Sequence, residues 1–426
     1  MLDILENFKF RNQLSTLAKA DALSTLTNKF LDPNIDLTLA GIDNHAIGTV
    51  FEELVCKFNE ENNEENNEES GEHWTPRDAV CLMANLVFLP IESQLKSGTY
   101  LLFDDACGTG GMLTMAEETL TELGNKHMLQ IDFRRYSQEI NPQTYAICKA
   151  DMLLKGEGEN AEHIVGGAEW STSSNDAFPV REFDFMLTNP PYGKRWKKDL
   201  AAMGGKEGRR DPHFKVMHLG EELSLFTRSS DGQMLLLVNM ASKMNHQSAL
   251  GSRIAEVHNG SSLFTGDADQ GESNIRWWII ENDWLEAIVA LPLNLLCNTG
   301  IATYVGVLSN RKAAHCKGQV QLIDATQWFK PLRKNLGKKN CEPAPEDISR
   351  ITRTFLRKRS NQNAYRTRRL VTGKSPSNVC CACTASYPYR ALTRCLVPLS
   401  TKTSGASCSS SLVTLCSPNS KALSRP

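Results

Sequence analysis

No apolar run in this 426-residue chain approaches the ~20 residues that a membrane-crossing helix needs; the longest, such as MLLLV at 234–238, fall well short. The opening MLDILENFKF lacks both the basic stretch and the apolar core of a secretory leader, so the expected location is the cytoplasm. Metal-ligand spacings are missing too. The nine histidines form no H-x-E or HExxH pattern, and the seven cysteines before residue 356 include no CxxC pair. Reduced, mostly buried thiols are expected there, with neither a metal site nor a disulfide framework. No repeat of 20–50 residues is visible, which excludes solenoids and propellers. With 41% apolar and 23% charged side chains, the chain is neither disordered nor collagenous and suffices for two or three domains.

Acidic residues are absent from residue 356 onward, where twelve of the 47 Lys and Arg lie. The other 35 face all 49 Asp and Glu, so residues 1–355 carry a net −14. Such a balance argues against gripping nucleic acid unaided, because phosphates are neutralised by clustered Lys and Arg.

Residues 1–58 have apolar positions at helical spacing: Leu14, Leu17, Leu23, Leu26 and Phe30, then Ile47, Val50, Phe51, Leu54, Val55 and Phe58. An Asn/Glu run without apolar residues follows at 59–72, a solvated linker or a frayed helix end. From 73 to about 310, short β-type runs alternate with helical segments, the pattern of an open α/β sheet. Strands are expected at 99–104, about 128–139, 162–166, 183–188, 233–239, 285–291 and 302–308.

Three motifs carry chemistry. Asp104-Asp105-Ala106-Cys107-Gly108-Thr109-Gly110-Gly111 follows the first strand and opens a helical run. Its glycines allow a tight turn and close backbone approach to a ligand, while the missing Lys-Ser/Thr excludes a Walker A loop. Glu139 ends the next strand, where a carboxylate can accept bonds from ribose hydroxyls; capping the following helix is the other role open to it. Asn189-Pro190-Pro191-Tyr192 ends the 183–188 strand, and two prolines fix a rigid bend at the carboxyl edge. A ring-conjugated amine is a poor nucleophile; an Asn oxygen and the next carbonyl can accept its two hydrogens, and Tyr192 can stack on the base or simply pack.

These motifs resemble those of S-adenosylmethionine-dependent amino-methyltransferases, above all the modification subunit of type I restriction-modification systems, which methylates adenine N6 in DNA. Also similar are Gly71-Glu72-His73-Trp74-Thr75-Pro76-Arg77, the family's aromatic-Thr-Pro-Arg segment, and the stretches 273–312 and 320–340. The resemblance covers about 40–355. It implies a Rossmann-like methyltransferase domain at 71–312 behind a helical region and linker at 1–70, then a post-catalytic region at 313–355. It implies S-adenosylmethionine held by Glu72, His73, Trp74, Thr75, Pro76, Arg77, Asp104, Cys107, Gly108, Thr109, Gly110, Gly111 and Glu139, and catalysis by Asn189, Pro190, Pro191 and Tyr192 without a metal. Implied partners are DNA and the system's specificity and restriction subunits, with no membrane. A protein-glutamine or RNA-adenine methyltransferase, or a catalytically impaired scaffold subunit, is the alternative.

The chain departs from the family at Asp105, often proline; at Met112, often phenylalanine; and at Leu296-Cys297, usually an aromatic pair. Lys194, Arg195, Lys197, Lys198, Lys206, Arg209 and Arg210 form a loop that either contacts DNA phosphates or is merely solvated. Asp151 either meets the target ring or caps a helix. The stretch 356–426, with Cys380 and Cys383, has no apolar period; a basic arm and a zinc ribbon are open to it, but a disordered or out-of-frame tail fits better.

Overall fold

The computed structural model describes residues 2–7, 9–36, 75–154, 158–205, 212–218, 220–267, 270–296, 300–336, 338–357 and 364–367. Thirteen strands are found among them: β1 Gly98–Asp104, β2 Ile131–Glu139, β3 Ile164–Gly166, β4 Phe185–Thr188, β5 Lys215–His218, β6 Glu221–Ser224, β7 Arg253–Asn259, β8 Leu285–Ala290, β9 Thr303–Ser309, β10 Val320–Asp324, β11 Lys330–Leu336, β12 Lys339–Glu342 and β13 Ala364–Thr367. Nine make one sheet in the order β13-β10-β8-β9-β7-β4-β1-β2-β3, while β5–β6 and β11–β12 are separate hairpins. From β3 to β7 neighbours run parallel; β9 is reversed between β7 and β8, and β13 is antiparallel on β10. The strand order reverses between β1 and β4, and open α/β sheets bind ligands at such a point.

Helices cover both faces. We label them α1 Leu2–Asn7, α2 Phe10–Lys19, α3 Leu23–Phe30, α4 Arg77–Phe88, α5 Gly111–His127, α6 Pro142–Leu154, α7 Gln233–Ser242, α8 Gly271–Glu281 and α9 Pro345–Arg357. In β4, Phe185 and Leu187 point to a core shared with α4, α5, α6 and α9, while Met186 points to a second core with α7 and α8. That alternation is the two-residue period of a strand buried on both faces.

Six of the seven expected strands are present, as β1, β2, β3, β4, β8 and β9. The seventh is corrected: 233–239 lies in helix α7, where every residue from Gln233 to Ala241 is buried between β7 and α8. A uniformly apolar run has no period to choose between strand and helix, and Met and Leu favour helix once neighbours surround the segment. The sheet position expected of that run belongs to β7, hidden in the sequence by Arg253, Glu256 and His258. All three are buried, and Arg253 reaches across β9 to Glu286 of β8 at 2.5 Å.

The expected boundary at 312 does not divide the fold. β10 pairs in parallel with β8 in the main sheet, and α9 packs on α4. The boundary at 355 falls inside α9, and β13 extends the sheet into the stretch expected to be a disordered tail; residues 368–426 lie outside the described ones. At the other end, α1 docks on α6 through buried Ile4, whereas α2 and α3 bury none of their residues among the described ones. The apolar positions 47–58 and the Asn/Glu run lie outside the described residues. Among the described residues no helix is long and apolar enough to cross a membrane.

The Arg253–Glu286 pair generates a test. Arg253→Ala leaves a buried, unpartnered carboxylate and is expected to cost about 3–5 kcal/mol of stability, whereas replacing both residues with apolar ones of similar volume is expected to cost far less. Urea unfolding midpoints of the two variants measure the difference.

Candidate active site

The end of β1 turns sharply into α5. Gly108 and Gly110 adopt φ of 54° and 87°, and the Gly110 N–H donates to the Cys107 carbonyl at 2.8 Å. A Cβ on Gly110 would lie 2.7 Å from the Cys148 sulfur of α6, so a side chain there meets both a forbidden conformation and a filled space. Because β2 pairs in register with β1, Glu139 arrives alongside the turn. Its Oε2 accepts the Gly108 N–H at 2.7 Å and its Oε1 the Asn141 N–H at 2.8 Å. Asn141, not Glu139, caps α6, accepting the Gln143 N–H at 2.8 Å. Glu139 therefore braces the turn and keeps further lone pairs for a ligand. Cys107 lies 4.0 Å from Cys148 and accepts the Ser137 hydroxyl at 2.9 Å; the neighbouring thiol and burial push its own thiol well above the usual range.

The end of β4 carries the second turn. The Thr188 hydroxyl donates to Asp104 Oδ1 at 2.7 Å, and the Ala106 N–H adds to the same oxygen at 3.1 Å. Asn189 donates through Nδ2 to the Thr75 hydroxyl at 2.9 Å and accepts the Tyr192 hydroxyl on Oδ1. Gly193, at φ 64°, donates its N–H to Asp231 at 3.3 Å.

Between the turns lies a cleft of about 440 Å³, a size usual for small-ligand sites. Of the expected cofactor residues, Thr75, Asp104, Cys107, Gly108, Thr109, Gly111 and Glu139 line it. Gly110 shapes the turn. Pro76 precedes the first turn of α4, and Arg77 faces Glu118 of α5 at 3.2 Å, away from the cleft lining. Glu72, His73 and Trp74 lie outside the described residues. Of the catalytic set, Asn189 and Pro191 line the cleft; Pro190 and Tyr192 do not, and Tyr192 packs against the core on the α4 side. Lys194 and Arg195 stand exposed at the rim, Lys197 and Lys198 begin a short exposed helix, and Lys206, Arg209 and Arg210 lie outside the described residues. Asp151 is on α6, where its charge acts on Arg135 rather than in the cleft.

The sequence left other lining residues unmarked, among them Ile140, Ser171, Thr172, Ser173, Trp196 and Leu236. The serine-rich segment follows β3, so its place after a strand's carboxyl end was a usable signal. Trp196 and Leu236 come in through loop and helix packing that no local pattern announces.

The floor of the cleft is acidic and dry. Burial pushes Asp104 from 3.8 to about 7 against the pull of its bonds from Thr188 and Ala106, with Glu139 and Glu256 adding to the rise. Burial likewise raises Asp105 well above the carboxylate range, with Glu256 and Asp104 adding, and it raises Glu256.

The reversed strand in a parallel sheet, with a glycine turn after β1 and an acid after β2, defines the Rossmann-like α/β fold of class I methyltransferases. A putative class I S-adenosylmethionine-dependent methyltransferase from Listeria monocytogenes shares this fold at 13% identity, TM-score 0.53, over 83% of this chain and 90% of that one. So does the methyltransferase subunit of a type I restriction-modification system from Streptococcus thermophilus, at 23% identity and TM-score 0.59, over 78% and 61%. A sequence profile of the N-6 DNA Methylase family matches residues 42–371, and the chain belongs to that family. Among its relatives is the type I restriction enzyme MpnII methylase subunit of Mycoplasma pneumoniae, 24% identical over 75% of this chain and 52% of that protein. The chain spans about half the length of the curated relatives it matches. The methyl donor is S-adenosylmethionine, and the cleft fits it: Gly110 leaves the turn no room for a side chain, and Glu139 presents acceptors for ribose hydroxyls.

Two outcomes are expected. Glu139→Ala should weaken S-adenosylmethionine binding by roughly 1–3 kcal/mol, read by titration calorimetry, because it removes both a ligand acceptor and the brace on Gly108. Asp104 keeps its proton to higher pH when folded than when unfolded, so stability should fall as pH rises from about 4 to 7 and then level off. Asp104→Asn retains the acceptor for Thr188 and should lessen that fall in denaturation midpoints measured across the window.

Proposed function

We propose that this chain is the methylating subunit of a type I restriction-modification complex and transfers a methyl group to N6 of an adenine in DNA at specific sites. The observation that carries this is the meeting of Asn189, from the end of β4, with the glycine turn, from the end of β1, in one cleft. S-adenosylmethionine, when bound, supplies an electrophilic methyl group. Glu139 and the 108–111 turn hold the donor. The adenine has to leave its duplex to reach the cleft, and there Asn189 Oδ1 and the Pro190 carbonyl accept its two amine hydrogens. That pairing favours a pyramidal nitrogen whose lone pair faces the methyl carbon, so positioning supplies most of the acceleration.

Tyr192 has two duties in sequence. Its hydroxyl occupies Asn189 Oδ1 in the structure, so the ring must turn out before the amine can bind, and turning out frees it to stack on the base. Lys194 and Arg195 stand where they can meet phosphates flanking the base. The net −14 of residues 1–355 supports a division of labour in which a separate specificity subunit grips DNA and a restriction subunit cuts it. Such a complex works with DNA in the cytoplasm.

The test is transfer of labelled methyl from S-adenosylmethionine to duplex DNA, RNA and protein, with the specificity subunit present. DNA adenine should take the label and the others none. Asn189→Ala should lower transfer by about a hundredfold or more while leaving donor affinity nearly unchanged. Equal loss of donor binding would instead make the Asn189 turn structural.

A further inference from the structure

Two carboxylates follow one another at the end of β1, and their surroundings differ. Asp104 accepts from Thr188 and Ala106. Asp105 is 1% exposed and lines the cleft, yet neither carboxylate oxygen has a hydrogen-bond partner. The Thr188 hydroxyl has one proton and gives it to Asp104. The only bond printed into Asp105 is to its backbone, whose carbonyl accepts the Thr172 hydroxyl at 2.6 Å.

The charges around Asp105 do not rescue it. Asp104 is its chain neighbour. Glu256 of β7 is buried and faces His258 at 3.5 Å. Lys243, after α7, is bonded to Asp176. Around the cleft stand Glu139, Lys194, Arg195 and Asp199. An ionised carboxylate without hydrogen bonds beside two further buried acids is costly, so Asp105 carries a proton in the free protein.

A buried acid held neutral at the wall of a ligand cleft is matched to a cation that arrives with the ligand. Glu139 marks the ribose end of the cleft. The Thr188–Asp104 bond and Asn189 mark the other, where the amino-acid half of S-adenosylmethionine would extend. That half carries an ammonium group. We propose that Asp105 is the counter-ion of this ammonium, and that its proton is released to solvent as the ligand binds. The O–H bond of the carboxylic acid breaks, its proton passes to a buffer base, and the carboxylate left behind accepts hydrogen bonds from the incoming ammonium. The family often has proline at this position, which can do neither. The inference rests on the cofactor assigned above.

Calorimetric titration of the full chain with S-adenosylmethionine near pH 7, in two buffers of different ionisation enthalpy, counts the protons. About one proton should be released per ligand bound. Asp105→Asn should abolish that release and weaken binding roughly tenfold to a hundredfold. The second probe is 5′-methylthioadenosine, which keeps the nucleoside and lacks the amino-acid half. It should bind the unaltered chain and the Asn variant equally tightly with no proton released, which also shows that the variant is folded. No proton release from the unaltered chain, or an Asn variant with unchanged release and affinity for S-adenosylmethionine, overturns the assignment of Asp105. Failure of the unaltered chain to bind either compound would instead remove the cofactor itself.

Discussion

Backbone pairing between β1 and β4 stops at Phe103 and Met186, before either strand reaches its functional turn. Twisted parallel strands separate beyond their last ladder bond, and here a side chain takes over: Thr188 donates to Asp104 and holds the two strand ends together. The position of the donor turn relative to Asn189 depends on that one bond. Its cost is visible in Asp104, a carboxyl kept dry and pushed to about 7. A carboxyl at that place is justified by the two donors converging on its Oδ1, which an apolar side chain could not receive.

The remaining polar groups beneath the site are supports. Gln233, at the start of α7, donates to Asp231, Asn259 and Ser261, and Asp231 in turn accepts the Gly193 N–H just after the catalytic turn. Thr75 joins Asn189 to the segment ahead of α4. Each turn is thus tied to a helix as well as to its strand, so a shift in either helix would be felt by the reacting groups.

The legible parts of the sequence were those where local pattern and tertiary role agree. β1 and β4 are apolar runs ending in turn residues, and both turns announce their chemistry by composition alone. Legibility failed where burial was secured by distant partners. β7 reads as polar because Arg253 and Glu256 find Glu286 and His258 only after folding. Helix α7 reads as a strand because burial on every side erases the period that marks a surface helix. The same distinction holds in the site. Glu139 was visible from its place at a strand end, while its brace on Gly108 and the inward turn of Tyr192 exist only in three dimensions.

The reversed strand β9 sets a timetable for the growing chain. It lies between β7 and β8, yet both of those are synthesised before it. Until 303–309 emerges, the middle of the sheet is a slot flanked by two strands whose side chains are almost all destined for burial. At ~5–20 residues per second, the stretch from the end of β8 to the end of β9 takes about 1–4 s to translate. During that interval two unpaired apolar edges stand open at the centre of the fold, and each is a template for the wrong strand from another nascent copy.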